Sequence, residues 1–123
     1  MAPLRALFDT NILIDYLNGI DDAKAEVERY ERPAISVISW IEVLVGTKSG
    51  LETATRKFLS SFERVELTEK IADQAVALRR AGKISVPDAI ILATAQVENL
   101  ILVTRNTKDF PADAPGIRVP YRI

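Results

Sequence analysis

LFDTNILIDYL, residues 7–17, joins the end of a strand to the start of a helix with a single acid at the seam. Leu4 to Phe8 is a short apolar run of the kind that forms a buried strand, and it stops at Asp9 and Thr10. From Asn11 to Asn18, the apolar residues Ile12, Leu13, Tyr16 and Leu17 recur at helical spacing until Gly19 ends the run. A strand feeding straight into a helix is half of a parallel β-α-β unit. The same grammar returns near the other end of the chain. LILVTRNTKDF, residues 100–110, opens on the most strand-like run of the sequence, Leu100 to Thr104, and closes in a polar turn on Asp109.

The segments between these two repeat the alternation. Asp22 to Tyr30 is charged and helix-forming, and Pro33 breaks it; Ala34 to Val37 is a second strand, and Ser39 is placed to cap a helix that runs to Gly46. Leu51 to Phe62 has the pattern of an amphipathic helix and Arg64 to Leu67 that of a third strand. Thr68 should cap a helix through Arg80. Gly82 and Pro87 punctuate the next connection. Asp88 to Glu98 is a helix apolar on nearly every side, so it should lie between other elements. Ile117 to Val119, between Pro115 and Pro120, reads as a short edge strand. Strands alternating with helices predict an α/β fold of three layers, helices on both faces of a twisted parallel sheet of four to five strands, in one domain over 1–123. Such folds bind ligands outside the carboxyl ends of their strands. Asp9 stands just past the first strand and Arg105 to Asp109 just past the fourth.

Composition narrows the chemistry. The 123 residues are 48% hydrophobic and 27% charged, as in an ordinary globular domain, and 16 basic against 17 acidic side chains leave a net charge of −1. Bulk charge therefore does not hold nucleic acid to this chain; a nucleic-acid substrate has to be gripped by local basic groups. The chain has no Cys and no His, which removes disulfides, thiolate nucleophiles, zinc–sulfur sites and imidazole acid–base chemistry together. MAPLRALFD is too short for a secretory signal and no apolar run reaches the roughly 20 residues of a membrane span, so a soluble cytoplasmic protein is expected, with no membrane partner.

Four acids sit in, or at the mouth of, apolar runs: Asp9 in LFDTNILI, Glu42 in ISWIEVLVG, Asp88 in VPDAIILATA and Asp109 closing LVTRNTKDF. Each has a structural explanation of its own. Asp9 and Asp88 suit helix starts, Asp109 suits a turn, and Glu42 is explicable as a core acid paired with Arg5 or Arg105. On its helix Glu42 shares a face with Ile38, Ile41 and Val45, which predicts burial, and Asp88 shares one with Ile91, Leu92 and Ala95. Taken together, the four point to one shared site. Two carboxylates about 5 Å apart repel by roughly 3 kcal/mol at an effective dielectric near 20. A divalent cation turns that repulsion into binding. With oxygen as the only donor, Mg²⁺ or Mn²⁺ and phosphate chemistry are the expectation.

With these residues in view, the chain resembles the PIN-domain ribonucleases, specifically the VapC toxins of bacterial and archaeal toxin–antitoxin pairs. The resemblance rests on LFDTNILIDYL, ISVISWIEVLVG, PDAIILATAQ and LILVTRNTKDF, in the family's order and spacing, with TRN followed by DF the most specific part. It implies a PIN-like sheet and a Mg²⁺-dependent endoribonuclease, with Mn²⁺ able to substitute, in which metal-activated water hydrolyses RNA. Asp9 and Asp88 would be the main metal ligands, Asp109 a ligand directly or through water, and Glu42 would orient the water or complete the shell. Thr104 and Asn106 match the family's polar supports, with Thr10 and Asn11 as further ones. Arg105 is the leading candidate to grip substrate, followed by Arg79, Arg80, Lys83 and Lys108. A cognate antitoxin and a homodimer are implied partners, and Leu13, Tyr16 and Leu17 are candidates for either interface.

Two departures from the family are visible. VENLILVTRN lacks the glycine often found before that strand, and IILATA carries Leu92 where a small residue is usual. Two rival readings stand beside the nuclease: a phosphoacceptor receiver domain, which would pair acids after the first strand and place a Lys after the last, and a catalytically silent PIN-like binding module.

Overall fold

The structure is a computed structural model that describes residues 5–111 and 113–122. Five parallel strands, β1 (Ala6–Phe8), β2 (Ala34–Ser36), β3 (Glu63–Val65), β4 (Ile101–Val103) and β5 (Ile117–Arg118), form one sheet in the order β3-β2-β1-β4-β5. Six helices connect them: α1 (Thr10–Leu17), α2 (Asp21–Glu28), α3 (Val37–Val45), α4 (Glu52–Leu59), α5 (Glu69–Ala81) and α6 (Val86–Val97). The expected parallel sheet of four to five strands is present, with β3 and the two-residue β5 at its edges. Its order also disposes of the receiver-type reading, which requires 2-1-3-4-5.

Alternation along β1 divides the core. Ala6 and Phe8 face one way, where Ile12 and Leu13 of α1, Ala23 of α2, Val43 of α3 and Leu59 of α4 close over them. Leu7 faces the other way, against Ile91 and Ala95 of α6. Helix α5 packs on α6 through Ile71 and Ala75 against Ala89 and Ala93. The small residues of α6 let it lie between the sheet and α5, as its nearly all-apolar composition requires.

Boundaries moved where a cap sits elsewhere than the sequence suggested. Ser36, not Ser39, caps α3, accepting from the Ile38 N–H at 3.0 Å, so β2 passes into the helix without a loop and Val37 is helical. Ser85 caps α6 and brings Pro87 inside its first turn, two residues ahead of the expected start. Pro is tolerated there because that N–H has no helical partner. Thr68 caps α5 as expected. Helix α4 is shorter than its apolar pattern, and β3 begins at Glu63. Leu4, expected to open the first strand, lies outside the described residues.

Two strand ends define the working edge. β1 and β4 pair in register, Leu7 beside Leu102 and Phe8 beside Val103, and the Asp9 N–H extends the ladder to the Val103 carbonyl at 2.9 Å. The chain reverses its lateral direction between these strands, with β2 on one side of β1 and β4 on the other. Their carboxyl ends therefore splay at the crevice where open α/β sheets take ligands.

Asn99 explains the missing glycine. It takes φ 56°, at the end of α6, while the Leu100 N–H reaches back to the Ala95 carbonyl at 2.8 Å. This is the left-handed turn-off that glycine usually supplies and that Asn tolerates best among the other residues. Asn99→Ala is expected to lower stability by about 1 kcal/mol, whereas Asn99→Gly should leave it unchanged or higher. The midpoint of urea unfolding checks both.

Candidate active site

Asp9 is built into the site by its backbone. As the residue between β1 and α1 it caps the helix, with Oδ1 accepting the Thr10 N–H at 2.8 Å. Its Oδ2 takes the Thr104 hydroxyl at 2.7 Å and the Asn11 side-chain amide at 3.2 Å. Thr104 is fully buried just past β4, so the register of β1 and β4 delivers this bond. The Thr104 oxygen also accepts the Asn106 N–H at 3.0 Å, and Asn11 Oδ1 accepts the Arg105 N–H at 3.2 Å. The β4 loop is thereby fastened to the start of α1. Both the cap and the site interpretations of Asp9 describe the same carboxyl.

The other acids arrive from three further stretches. Glu42, on α3, accepts the Thr10 hydroxyl at 2.7 Å. Thr10 Oγ1 also lies 2.9 Å from the hydroxyl of buried Ser39, one turn before Glu42. Ser39 therefore belongs to the site and not to the helix cap. The legible signal was a polar residue three positions from the acid in an otherwise apolar run. Asp88 lies half-buried in the first turn of α6, its N–H on the Ser85 hydroxyl at 3.3 Å. Asp109 is clipped to Asn106 twice, side-chain amide to Oδ2 at 3.0 Å and backbone N–H to Asn106 Oδ1 at 3.2 Å.

These acids act on one another. Burial pushes the Asp9 carboxyl up to about 6 against an ordinary 3.8; the bonds from Thr104 and Thr10 oppose this, and the charges of Asp88 and Glu42 add to it. Burial also raises Asp88, opposed by the Ser85 bond, with Asp109 and Glu42 pushing further upward. Among the described residues none of the four is in an ion pair with Lys or Arg. Apart from the contact of Asp88 with Asp109, their partners are neutral hydroxyls, amides and backbone N–H groups.

Several expectations need correcting. Glu42 is exposed, not buried, while Asp109 is exposed as its polar turn suggests. The apolar letters around Glu42 serve two surfaces: Val43 enters the core, while Ile41 and Val45 are 45% and 81% exposed. Arg105 does not reach toward the crevice. Its Nε and Nη2 bind the carboxylate of Asp15 at 2.6 and 3.0 Å, and the Tyr121 hydroxyl donates to the same carboxylate at 2.8 Å. Burial alone would raise Asp15, yet the Arg105 and Tyr121 bonds and the guanidinium charge outweigh it and hold the carboxyl below its ordinary value. Arg79 bonds the Gly82 carbonyl at 3.4 Å behind α5, and with Arg80 it lines an apolar hollow between α5 and α6. Lys83 and Lys108 share a hollow with Asp109. The buried acids Asp15 and Glu26 carried no sequence signal. Each is paired with an arginine about 90 positions away, Glu26 with Arg118 at 2.7 Å. Leu13 is core, while Leu17 is 42% exposed.

The donor set suits a hard divalent cation, being all oxygen, mutually repelling and without a basic partner. The ligand cage is not closed, however: among the described residues no three acids stand close enough to hold a metal ion jointly.

Comparison with known proteins settles the family. The PIN domain model matches residues 6–112, and ribonuclease VapC10 of Mycobacterium tuberculosis is 34% identical over 113 residues, 85% of each chain. The chain belongs to the PIN-domain family. Within it the likeness is to VapC-type ribonucleases. A second M. tuberculosis relative, ribonuclease VapC19, is 32% identical over 94% of this chain and 98% of its own. Among solved structures, a toxin–antitoxin complex from Klebsiella pneumoniae superposes with a TM-score of 0.90 at 52% identity, covering 96% of this chain and 99% of that one. VapBC2 from Rickettsia felis, bound to a promoter DNA fragment, gives 0.77 at 25% identity over 98% and 99%. The five-stranded parallel sheet and its helices are the PIN architecture.

Asp9 carries a stability consequence. Well below pH 3.8, Asp9 is protonated whether folded or unfolded and its net effect is small. Between about 3.8 and about 6 the unfolded chain gives up the proton that folded Asp9 still holds, so folding is progressively penalised, by about 3 kcal/mol in full above that window. In chelator, Asp9→Asn should therefore be more stable than the parent by about 2–3 kcal/mol at pH 8, with little gain near pH 4. Urea unfolding at the two pH values checks the difference.

Proposed function

We propose that this VapC-type PIN-domain ribonuclease is the Mg²⁺-dependent toxin of a toxin–antitoxin pair, hydrolysing RNA phosphodiesters at the crevice between β1 and β4. The observation that carries this reading is the hydrogen-bonded chain from Glu42 through Thr10 to Asp9, and from Asp9 through Thr104 and Asn106 to Asp109, with Asp88 near enough for its charge to raise Asp9 and no acid of the four in an ion pair among the described residues. Asp9 and Asp88 would hold the ion and Asp109 would complete its surroundings. Glu42, oriented by Thr10, is placed to align a water. When bound, the ion supplies the Lewis-acid charge that binds the scissile phosphate and makes water acidic enough to attack near neutral pH.

The remaining work belongs to the chain. Thr104 and Asn11 fix the Asp9 carboxyl, and Thr104 draws its pKa back down toward the ionised form that a cation needs. Asn106 holds Asp109 in place. Lys83 and Lys108 are free to meet RNA phosphates, whereas Arg105 is committed to Asp15. With no histidine in the sequence, imidazole cannot move protons at the 2′-hydroxyl, and water held among the acids is the nucleophile.

Partner surfaces support the toxin reading. A hollow of about 390 Å³ runs from Glu42 past Ile14, Leu17 and Leu51, the last three 43%, 42% and 53% exposed. An antitoxin segment laid along it would cover these apolar groups and reach the acids. A second exposed apolar patch, Leu67, Val76 and Val86 beside the α5–α6 hollow, suits a second copy of the chain, giving the homodimer. No helix among the described residues is long and apolar enough to cross a membrane, in keeping with action on RNA in the cytoplasm.

Asp9→Asn and Asp88→Asn should each cut Mg²⁺-dependent cleavage of a fluorogenic RNA by about 100-fold or more while keeping cooperative unfolding. Excess chelator should abolish cleavage by the parent and Mn²⁺ restore it. Cleavage that survives either treatment contradicts the mechanism, and an intact site with no turnover would favour the silent-module alternative. Leu51→Glu should weaken capture of the antitoxin encoded beside this chain by about tenfold, leaving the free toxin's cleavage rate unchanged. Titration with the labelled antitoxin measures this.

A further inference from the structure

One hollow beside the acids has no part in the chemistry described above. It is enclosed by Leu78 of α5, Ile84 of the α5–α6 connection and Leu92 of α6, with Lys83 on one side and Lys108 and Asp109 on the other. Its volume is about 300 Å³, within the range of roughly 300–1,000 Å³ typical of small-ligand sites. Three features give it an occupant. It opens directly from Asp109, whose carboxyl stands against Asp88, so whatever fills it adjoins the phosphate held by the acids. Its walls are mostly aliphatic, from Leu78, Ala81, Ile84 and Leu92, and suit the flat face of a nucleobase. Its rim carries two exposed lysines that form no ion pair among the described residues, and these can meet the phosphates of a strand whose base fills the hollow.

Leu92 gives the hollow its individual character. It packs with one side on the cluster that holds Leu7, Ile91 and Ala95 and turns the other into the hollow, where it is the wall contributed by α6. We propose that the hollow is a base subsite for the nucleotide next to the scissile phosphate, with Leu92 limiting which base enters and Lys83 and Lys108 holding the flanking phosphates. The subsite rests on the ribonuclease reading for its ligand class. Aliphatic walls carry no hydrogen-bond code, so selection here is by size: a leucine wall favours the smaller pyrimidines, and shortening it admits purines.

The test uses oligoribonucleotides that differ by one base at each position around a single cleavage point. Mapped cleavage products in Mg²⁺ give the base preference at every position. Binding of the same oligonucleotides in Ca²⁺, followed by fluorescence anisotropy, gives it without turnover. Leu92→Ala should shift the purine-to-pyrimidine ratio at one fixed position by about tenfold, with the other positions unchanged, and Leu92→Met, of similar volume, should keep the parent's preference. Lys83→Ala and Lys108→Ala, both on the surface, should each raise KM several-fold with kcat nearly constant. Each should also lower the slope of log affinity against log salt by about 0.7.

A base profile in Leu92→Ala identical to the parent's, or lysine variants with unchanged salt slopes, overturns the subsite while leaving the nuclease standing. A parent that cleaves none of the oligonucleotides overturns the nuclease reading instead. In that case the Ca²⁺ binding series still decides for or against the hollow. Should Leu92→Ala fail to fold, Leu92→Val, a smaller truncation of the same wall, decides it by the same base profile.

Discussion

Carboxylates forced together by a parallel sheet repel one another, and the rest of this molecule is arranged around that repulsion. The in-register pairing of β1 and β4 brings the residues after each strand to the same crevice, which sets Asp9 against Thr104. Helices α3 and α6 then bring Glu42 and Asp88 near enough for their charges to act on Asp9. A fold that only had to bury acids would pair them with arginine, and this one does so elsewhere: Asp15 with Arg105 and Glu26 with Arg118. At the crevice it surrounds them with Thr10, Asn11, Thr104 and Asn106, neutral groups that aim carboxyl oxygens without cancelling their charge. On the proposed function that charge is left for an external cation, and stability is lost in keeping it.

The two classes of buried acid also cooperate. Arg105 lies between Thr104 and Asn106, and its attachment to Asp15, with Tyr121 on the same carboxylate, fixes the loop that carries both supports and Asp109. A residue expected to touch substrate thus holds the frame of the site. Lys83 and Lys108 form no ion pair among the described residues and line a hollow with Asp109, which leaves them as the proposed substrate-facing charge.

Most of the fold was legible because it is local. Strand runs, helix periods and the Thr68 cap are written in adjacent letters, and parallel pairing follows from their alternation. The four acids stood out because each lies in, or at the mouth of, an apolar run, whereas Thr10, Asn11, Thr104 and Asn106 were named from the family resemblance. Burial at Glu42 was misread for a physical reason. Periodicity reports which residues share a face, not whether another element covers that face, and α3 leaves Ile41 and Val45 open. Ser39 was taken for a cap because Ser36, three residues earlier, could serve as well, and only the length of β2 decides between them. The Asp15–Arg105 and Glu26–Arg118 pairs join residues about 90 positions apart, and no single-sequence pattern encodes such a partner. Of the two departures from the family, Asn99 proved to be a substitute for glycine at a left-handed turn, and Leu92 proved to line a hollow.

The central claim is that side chains from four distant stretches form a single cation site once an ion is present. Anomalous diffraction from crystals soaked in Mn²⁺ tests it most directly. The account predicts a strong peak bonded to Asp9 and Asp88, with Asp109 or Glu42 drawn toward it. A map with no peak among these carboxylates, from crystals whose protein still cleaves RNA with Mn²⁺, would contradict it.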